Sequence, residues 1–218
     1  MNLPKKRILV MTAVQAEQDA VLRGLKGDQR FDVCLAGVGP AAAAANTARI
    51  LATAEYDLVV SAGIGGGFPG RAEIGSLVVA NEIVAADLGA ATPNGFMSLD
   101  ELGFGCTRVQ ADHRLVNRLT EALLAANLPA SAAPILTVST VTGTAESAAE
   151  MAARVPGATA EAMEGYGVAV AALARGLPVL EIRSVSNLVG PRDRSAWRIK
   201  EALTVLETAS SVFLEVLL

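Results

Sequence analysis

The run from Asp57 to Ala62 (DLVVSA) is apolar almost without a break. A strand with one face in water alternates apolar and polar residues, whereas one without alternation is covered on both faces. That stretch therefore demands a sheet with helices on either side, and its neighbours supply them. Arg7 to Ala13 and Phe31 to Ala36 read as short strands. The first leads into helical spacing at Ala16, Ala20, Val21 and Leu25, the second into an Ala-rich helix to about Ala54. Gly75 to Ala86, Pro134 to Val138, Thr159 to Met163 and the segment opening at Pro178 read as further strands. Helical patterns cover 112–127, 144–155, 164–175 and 195–218. Asp112 is a natural cap for the first of these, with Leu115, Leu119, Leu123 and Leu124 on its apolar face. Glu164 to Arg175 is almost wholly apolar and therefore buried. The expected fold is α/β, one domain over 1–218.

Composition narrows the function. Hydrophobic residues make up 52% and aromatics only 4%, so the core is small-residue packing of helices on a sheet. A net charge of -4 and the lack of a basic tract argue against nucleic acid as a partner. No apolar run reaches the length of a membrane span. The basic start MNLPKKR leads into a first strand rather than a signal peptide. Cys34 and Cys106 form no metal pattern with the single histidine, His113; Cys34 reads as a core residue, and no cofactor is expected. The expected compartment is the cytoplasm.

The chemistry gathers at strand ends, where open α/β sheets bind ligands. Glu17 stands just past the first strand, as a water-activating acid or as an acid favoured by a helix N-terminus. Gly37-Val38-Gly39-Pro40-Ala41-Ala42 has the spacing of a dinucleotide turn, but the next strand lacks the terminal acid, which favours a tight turn. The apolar strand runs into Gly63-Ile64-Gly65-Gly66-Gly67, read as a loop whose bare N–H groups cradle a ligand, or as a flexible connection. Glu164 opens the apolar helix, and its carboxylate needs partners: sugar hydroxyls or backbone amides. After Val179, Leu180, Ile182 and Val185 the last strand turns polar, at Arg183, Ser184, Ser186 and Asn187. Asn187 either caps a turn or presents a donor and an acceptor side by side to a planar heterocycle.

Five segments, AVQAE (13–17), AGVGPAAAA (36–44), SAGIGGG (61–67), AMEGYGVA (162–169) and RSVSN (183–187), resemble the nucleoside phosphorylase/hydrolase superfamily over nearly the whole chain. SNLVGPRDRSAW (186–197) with MEGYGVA resembles its futalosine hydrolase branch, of the alternative menaquinone pathway. The resemblance implies a three-layer α/β/α fold with a central mixed, twisted sheet. It also implies hydrolysis of a nucleoside with release of the purine. It makes Glu17 the acid that activates water. Met163 packs on the ribose and Glu164 binds its hydroxyls. Ser186 and Asn187 hold the base, and Ile64, Gly65 and Gly66 lie beside the sugar. Arg183 stands near the nucleophile pocket, and Val141 and Thr142 cover the purine face. Adenine-specific relatives carry Asp where this chain has Asn187. An amide can donate to O6 and accept from N7–H, so Asn187 points to hypoxanthine, and hence to futalosine. Glu17 stands where family phosphorylases place an arginine for phosphate, which favours water. Arg192, Arg194 and Trp197 either receive a carboxylate at C5′ or form a solvated loop. A neighbouring subunit closing the 5′ side, through the loop after Ala86, implies a homo-oligomer. A methylthioadenosine or aminodeoxyfutalosine nucleosidase, a purine nucleoside phosphorylase, and a non-catalytic nucleoside-binding protein are the alternatives.

Overall fold

A computed structural model describes residues 6–217. The order is β1 (Ile8–Thr12), α1 (Gln15–Leu25), β2 (Phe31–Leu35), α2 (Pro40–Leu51), β3 (Leu58–Gly67), β4 (Leu77–Ala85), β5 (Gly89–Thr92) and β6 (Gly95–Ser98). Then follow α3 (Leu99–Leu102), β7 (Arg108–Gln110), α4 (His113–Ala125), β8 (Ala130–Thr137) and α5 (Ala145–Arg154). The chain ends with β9 (Ala160–Ala162), α6 (Gly165–Leu173), β10 (Val179–Leu188) and α7 (Ile199–Val216), the last preceded by a 3₁₀ turn at Arg194–Ala196.

β3 is the spine. It runs parallel to β1 and β10 and, at its far end, antiparallel to β9. β10 pairs antiparallel with β4, β4 parallel with β8, and β8 parallel with β9, so the mixed sheet curls back onto β3. β2 extends it beyond β1 and β7 flanks β4, while β5 and β6 form a separate hairpin. Each residue of β1 is buried, and alternate side chains feed opposite faces. Ile8 and Val10 join Leu206 and Phe213 of α7; Leu9 and Met11 join Val168 and Ala172 of α6. Two glycines set the helix spacing. A Cβ on Gly24 would lie 2.1 Å from the Glu207 carbonyl oxygen, and one on Gly167 2.2 Å from that of Pro40. Among the described residues no helix is long and apolar enough to cross a membrane.

The expected helix–sheet–helix layering and mixed sheet are present, and Asp112 caps α4 through the N–H groups of Arg114 and Leu115. Other expectations change. The glycines after Ala62 do not form a loop; Gly63 to Gly67 continue β3, because β10 continues beside them to Leu188. The polar residues after Ile182 likewise belong to a strand. Leu124 faces solvent, because α4 buries Val116, Leu119 and Leu123. α6 exposes Val170 and Leu173. Cys34 is half-buried and Cys106 and His113 are exposed. Segment 87–105 holds the β5–β6 hairpin and α3, closed by Ser98 and Glu101 capping each other.

Candidate active site

Glu17 sits in the first turn of α1 and folds back on it. Its Oε2 accepts from the N–H groups of Ala13 (2.8 Å) and Val14 (3.2 Å), and its Oε1 from Ile64 N–H on β3 (2.9 Å). The side chain thus pins a helix start to the central strand and is almost fully buried. Burial pushes its proton affinity above the ordinary carboxylate value; the charge of Arg183 and the bonds from Ile64 and Ala13 only partly offset this.

Arg183, on β10, is among the largest fully buried side chains. Its Nε donates to Glu181 Oε1 (2.9 Å), its Nη2 to Ser61 Oγ (3.0 Å), and its Nη1 lies 3.3 Å from Glu164 Oε2. Burial opposes the guanidinium charge, but Glu181, Glu164 and Glu17 together outweigh it and raise its pKa. Glu164 also accepts from Gly39 N–H (3.2 Å) and Met163 N–H (3.3 Å). Glu181 is fully buried, which drives its pKa up to about 6 against the pull of Arg183. Two glycines make room for this cluster. A Cβ on Gly63 would stand 2.5 Å from Arg183 Nη1 and 2.6 Å from Glu17 Oε1; one on Gly165 would stand 2.0 Å from Glu181 Oε2.

Further along β3 and β10 from the cluster lies a cavity of about 150 Å³. Ile64, Gly65 and Gly66 of β3 form one wall, Ser186 and Asn187 of β10 another, and Val141, Thr142, Glu161 and Trp197 the rim. Drug-sized ligands fill roughly 300–1,000 Å³, so this space suits one part of a ligand. A register shift between Val185 and Asn187 breaks the β10 ladder here and re-aims these side chains. Ser186 Oγ donates to Asn187 Oδ1 (2.8 Å), with the Gly65 carbonyl as its other acceptor at 3.2 Å. Asn187 Nδ2 donates to the Leu188 carbonyl (3.0 Å). A larger cavity of about 430 Å³ lies by the β5–β6 hairpin, but its polar groups are engaged. Arg154 binds the Ala86 carbonyl and stacks on Phe96, Arg108 pairs with Glu82, and Asp100 accepts from Thr107.

Residues 9–218 match the family model of the phosphorylase superfamily. The chain is 51% identical to a futalosine hydrolase of Streptomyces coelicolor, over 93% of this chain and 92% of that protein. It is 50% identical to a futalosine hydrolase of Acidothermus cellulolyticus, over 92% and 87%. The chain belongs to the futalosine hydrolase family of the phosphorylase superfamily. Its fold matches the native structure of a futalosine hydrolase of Helicobacter pylori, with a TM-score of 0.81 at 17% identity over 97% of this chain and 96% of that one.

In this futalosine hydrolase family member the sequence-derived residues fall into two groups, with Met163 and Arg192 outside both. Ile64, Gly65, Gly66, Val141, Thr142, Ser186, Asn187 and Trp197 line the cavity. Glu17, Glu164 and Arg183 form a charged cluster next to it, at Gly63 and Ile64 of β3, where Arg183 is paired with Glu164 and Glu181. Met163 is half-buried beside Glu164. Arg192 is exposed outside the cavity, its guanidinium 5.0 Å above the Trp197 ring, and Arg194 stands 5.8 Å from the same ring. Two acids at the site were not singled out by sequence reasoning: Glu161 and Glu181. Glu181 was legible in principle, as a charge between apolar residues of a buried strand. Glu161 carried a weaker form of the same signal, as a charge between Ala160 and Ala162 of a short predicted strand. Among the described residues no three His, Cys, Asp or Glu side chains form a group that would hold a metal ion.

Proposed function

We propose that this chain hydrolyses the N-glycosidic bond of futalosine, releasing hypoxanthine and dehypoxanthine futalosine in the futalosine route of menaquinone biosynthesis. The observation that carries the reading is the hydrogen-bond state of Asn187. Its amide has two N–H donors and two acceptor lone pairs. Leu188 and Ser186 occupy one of each. One donor and one acceptor remain, which matches O6 and a protonated N7 of hypoxanthine.

The reaction then runs across the cavity. Glu17 takes a proton from water, the water oxygen bonds to C1′, and the C1′–N9 bond breaks with its electron pair moving into the purine. N7 takes up a proton from solvent, balanced by the proton that Glu17 releases to solvent, and Asn187 accepts from the N7–H while donating to O6. The carbon passes through a state resembling an oxocarbenium ion, by analogy with glycoside chemistry. Glu164 holds the ribose hydroxyls, with Met163 against the ring. The raised proton affinity of Glu17 makes it a stronger base than an ordinary carboxylate. Phosphate is a poor nucleophile in this setting, because Arg183 is buried and already paired with Glu181 and Glu164. Trp197, which lines the cavity, and Arg192 over its ring are the side chains we assign to the carboxylated 5′ group. A second copy of the chain closes that side with the segment after Ala86, giving a homodimer or larger homo-oligomer.

The test is to incubate the protein with futalosine, aminodeoxyfutalosine, inosine and methylthioadenosine, with and without phosphate, and to identify the products. Hypoxanthine from futalosine without phosphate is the expected result. Adenine released preferentially from the amino substrates, release only with phosphate, or no release would each overturn it.

A further inference from the structure

We infer that Glu161 is a specificity-determining residue that accepts the N1–H of a 6-oxopurine and thereby excludes 6-aminopurines. The inference rests on the hypoxanthine reading above and adds a second reader of the base.

The register of the sheet puts the two readers on either side of one glycine. Gly66 of β3 is opposite Asn187 on β10 and opposite Glu161 on β9. Residues directly opposite one another send their side chains to the same face. A Cβ on Gly66 would stand 3.3 Å from Asn187 Nδ2, so that face is the one Asn187 occupies. Glu161 and Asn187 therefore flank a bare patch of backbone about two strand spacings wide, roughly 10 Å from Cα to Cα. Both side chains line the same cavity. In hypoxanthine, O6 stands between N7 and N1–H along one edge, so a base held at O6 and N7 by Asn187 turns N1 away from it, toward the opposite flank.

The chemistry of Glu161 fits that place. Its Oε1 accepts from Thr142 N–H (2.9 Å) and its Oε2 from Thr142 Oγ1. A carboxylate offers about four acceptor sites, and these bonds use two. No cation pairs with Glu161 among the described residues, so it differs from the carboxylates of the charged cluster. Glu161 also occupies the Thr142 N–H, a donor at the cavity rim that an adenine N1 would otherwise use. Hypoxanthine presents a donor at N1 and meets an acceptor; adenine presents a lone pair and meets a lone pair.

The experiment compares kcat/KM for futalosine and aminodeoxyfutalosine in the wild type and in Glu161→Gln, an isosteric change checked for folding by its circular dichroism spectrum. The Gln side chain keeps its oxygen on the Thr142 N–H and turns its NH₂ toward the base. The preference for the 6-oxo substrate is expected to shrink by about 10–100-fold. A folded Glu161→Gln enzyme with an unchanged ratio would overturn the proposal. A second measurement needs no variant: hypoxanthine should bind the wild type at least about tenfold more tightly than 1-methylhypoxanthine by calorimetry. Equal binding would overturn the proposal even if the variant failed to fold. Wild-type protein that leaves futalosine intact yet discriminates the two bases would refute the hydrolase reading while sparing the role of Glu161.

Discussion

Glu17 and Glu161 are both buried carboxylates, one bonded to Ile64 of β3 and the other lining the cavity that Ile64 also lines, and they are held in opposite ways. Glu17 accepts from three backbone N–H groups on two elements and feels the charge of Arg183. Glu161 leans on a single residue, Thr142, in a loop. The charged cluster is thus set when α1 docks on β3, whereas the base end keeps unused hydrogen-bonding positions for a ligand. Preorganised charge serves the chemical step, because nothing has to reorganise as the bond breaks. Unfilled lone pairs and N–H groups serve recognition, because a ligand must be able to complete them.

Mutation should separate the two ends, and the charged cluster should give the larger effects. Glu17→Gln is expected to lower kcat by about 10²–10⁴ while hypoxanthine still binds, measured by steady-state kinetics and calorimetry. A loss of less than tenfold would erase the distinction between the two carboxylates. Arg183→Met leaves Glu181 and Glu164 buried without a cation, which typically costs about 3–5 kcal/mol. The melting temperature should fall by roughly 6–20 °C, whereas Asn187→Asp should leave it within a few degrees. A small shift for Arg183→Met would mean that the ion pairs do not hold the cluster together.

At the base end Asn187→Asp should act on choice rather than on rate. The carboxylate keeps its acceptor for N7–H but loses the donor for O6, so the 6-oxo to 6-amino preference should drop by about 10–100-fold in competition assays. Glu181 should give the smallest effect, visible through pH. Its folded pKa of about 6 lies above the ordinary 4.5, so the folded state holds the proton more tightly. The stability it contributes is complete below pH 4.5 and is lost as the pH rises through about 6. Melting temperatures of the wild type and of Glu181→Gln across pH 4.5–7 should therefore diverge in slope; parallel curves would remove Glu181 from the charged cluster.

The two ends also differed in how far they could be read from the chain. Glu17, Glu164, Arg183, Ser186 and Asn187 stood in short motifs at predicted strand ends, and those strands formed where hydrophobic period placed them. What pattern could not reveal was the continuation of β3 through five residues that look like a loop. They are strand because β10 continues beside them, and Gly63, Gly65 and Gly66 are glycine because Arg183, Glu17, Glu161 and Val189 fill the space side chains would take. Arg192 was legible either as a partner of substrate or as part of a solvated loop, and tertiary structure adds that its guanidinium lies 5.0 Å from the ring of Trp197, which lines the cavity.

The sequence by itself determined the layered α/β fold, because apolar period is a local property written in consecutive residues, and its short motifs carried the resemblance that implied the chemistry. Only the tertiary structure decided that Arg183 is already neutralised, that Asn187 retains one donor and one acceptor, and that Glu161 faces it across Gly66. Each of these depends on which strands lie side by side and in what register, and pairing between residues far apart in the chain leaves no mark on the pattern of either one alone.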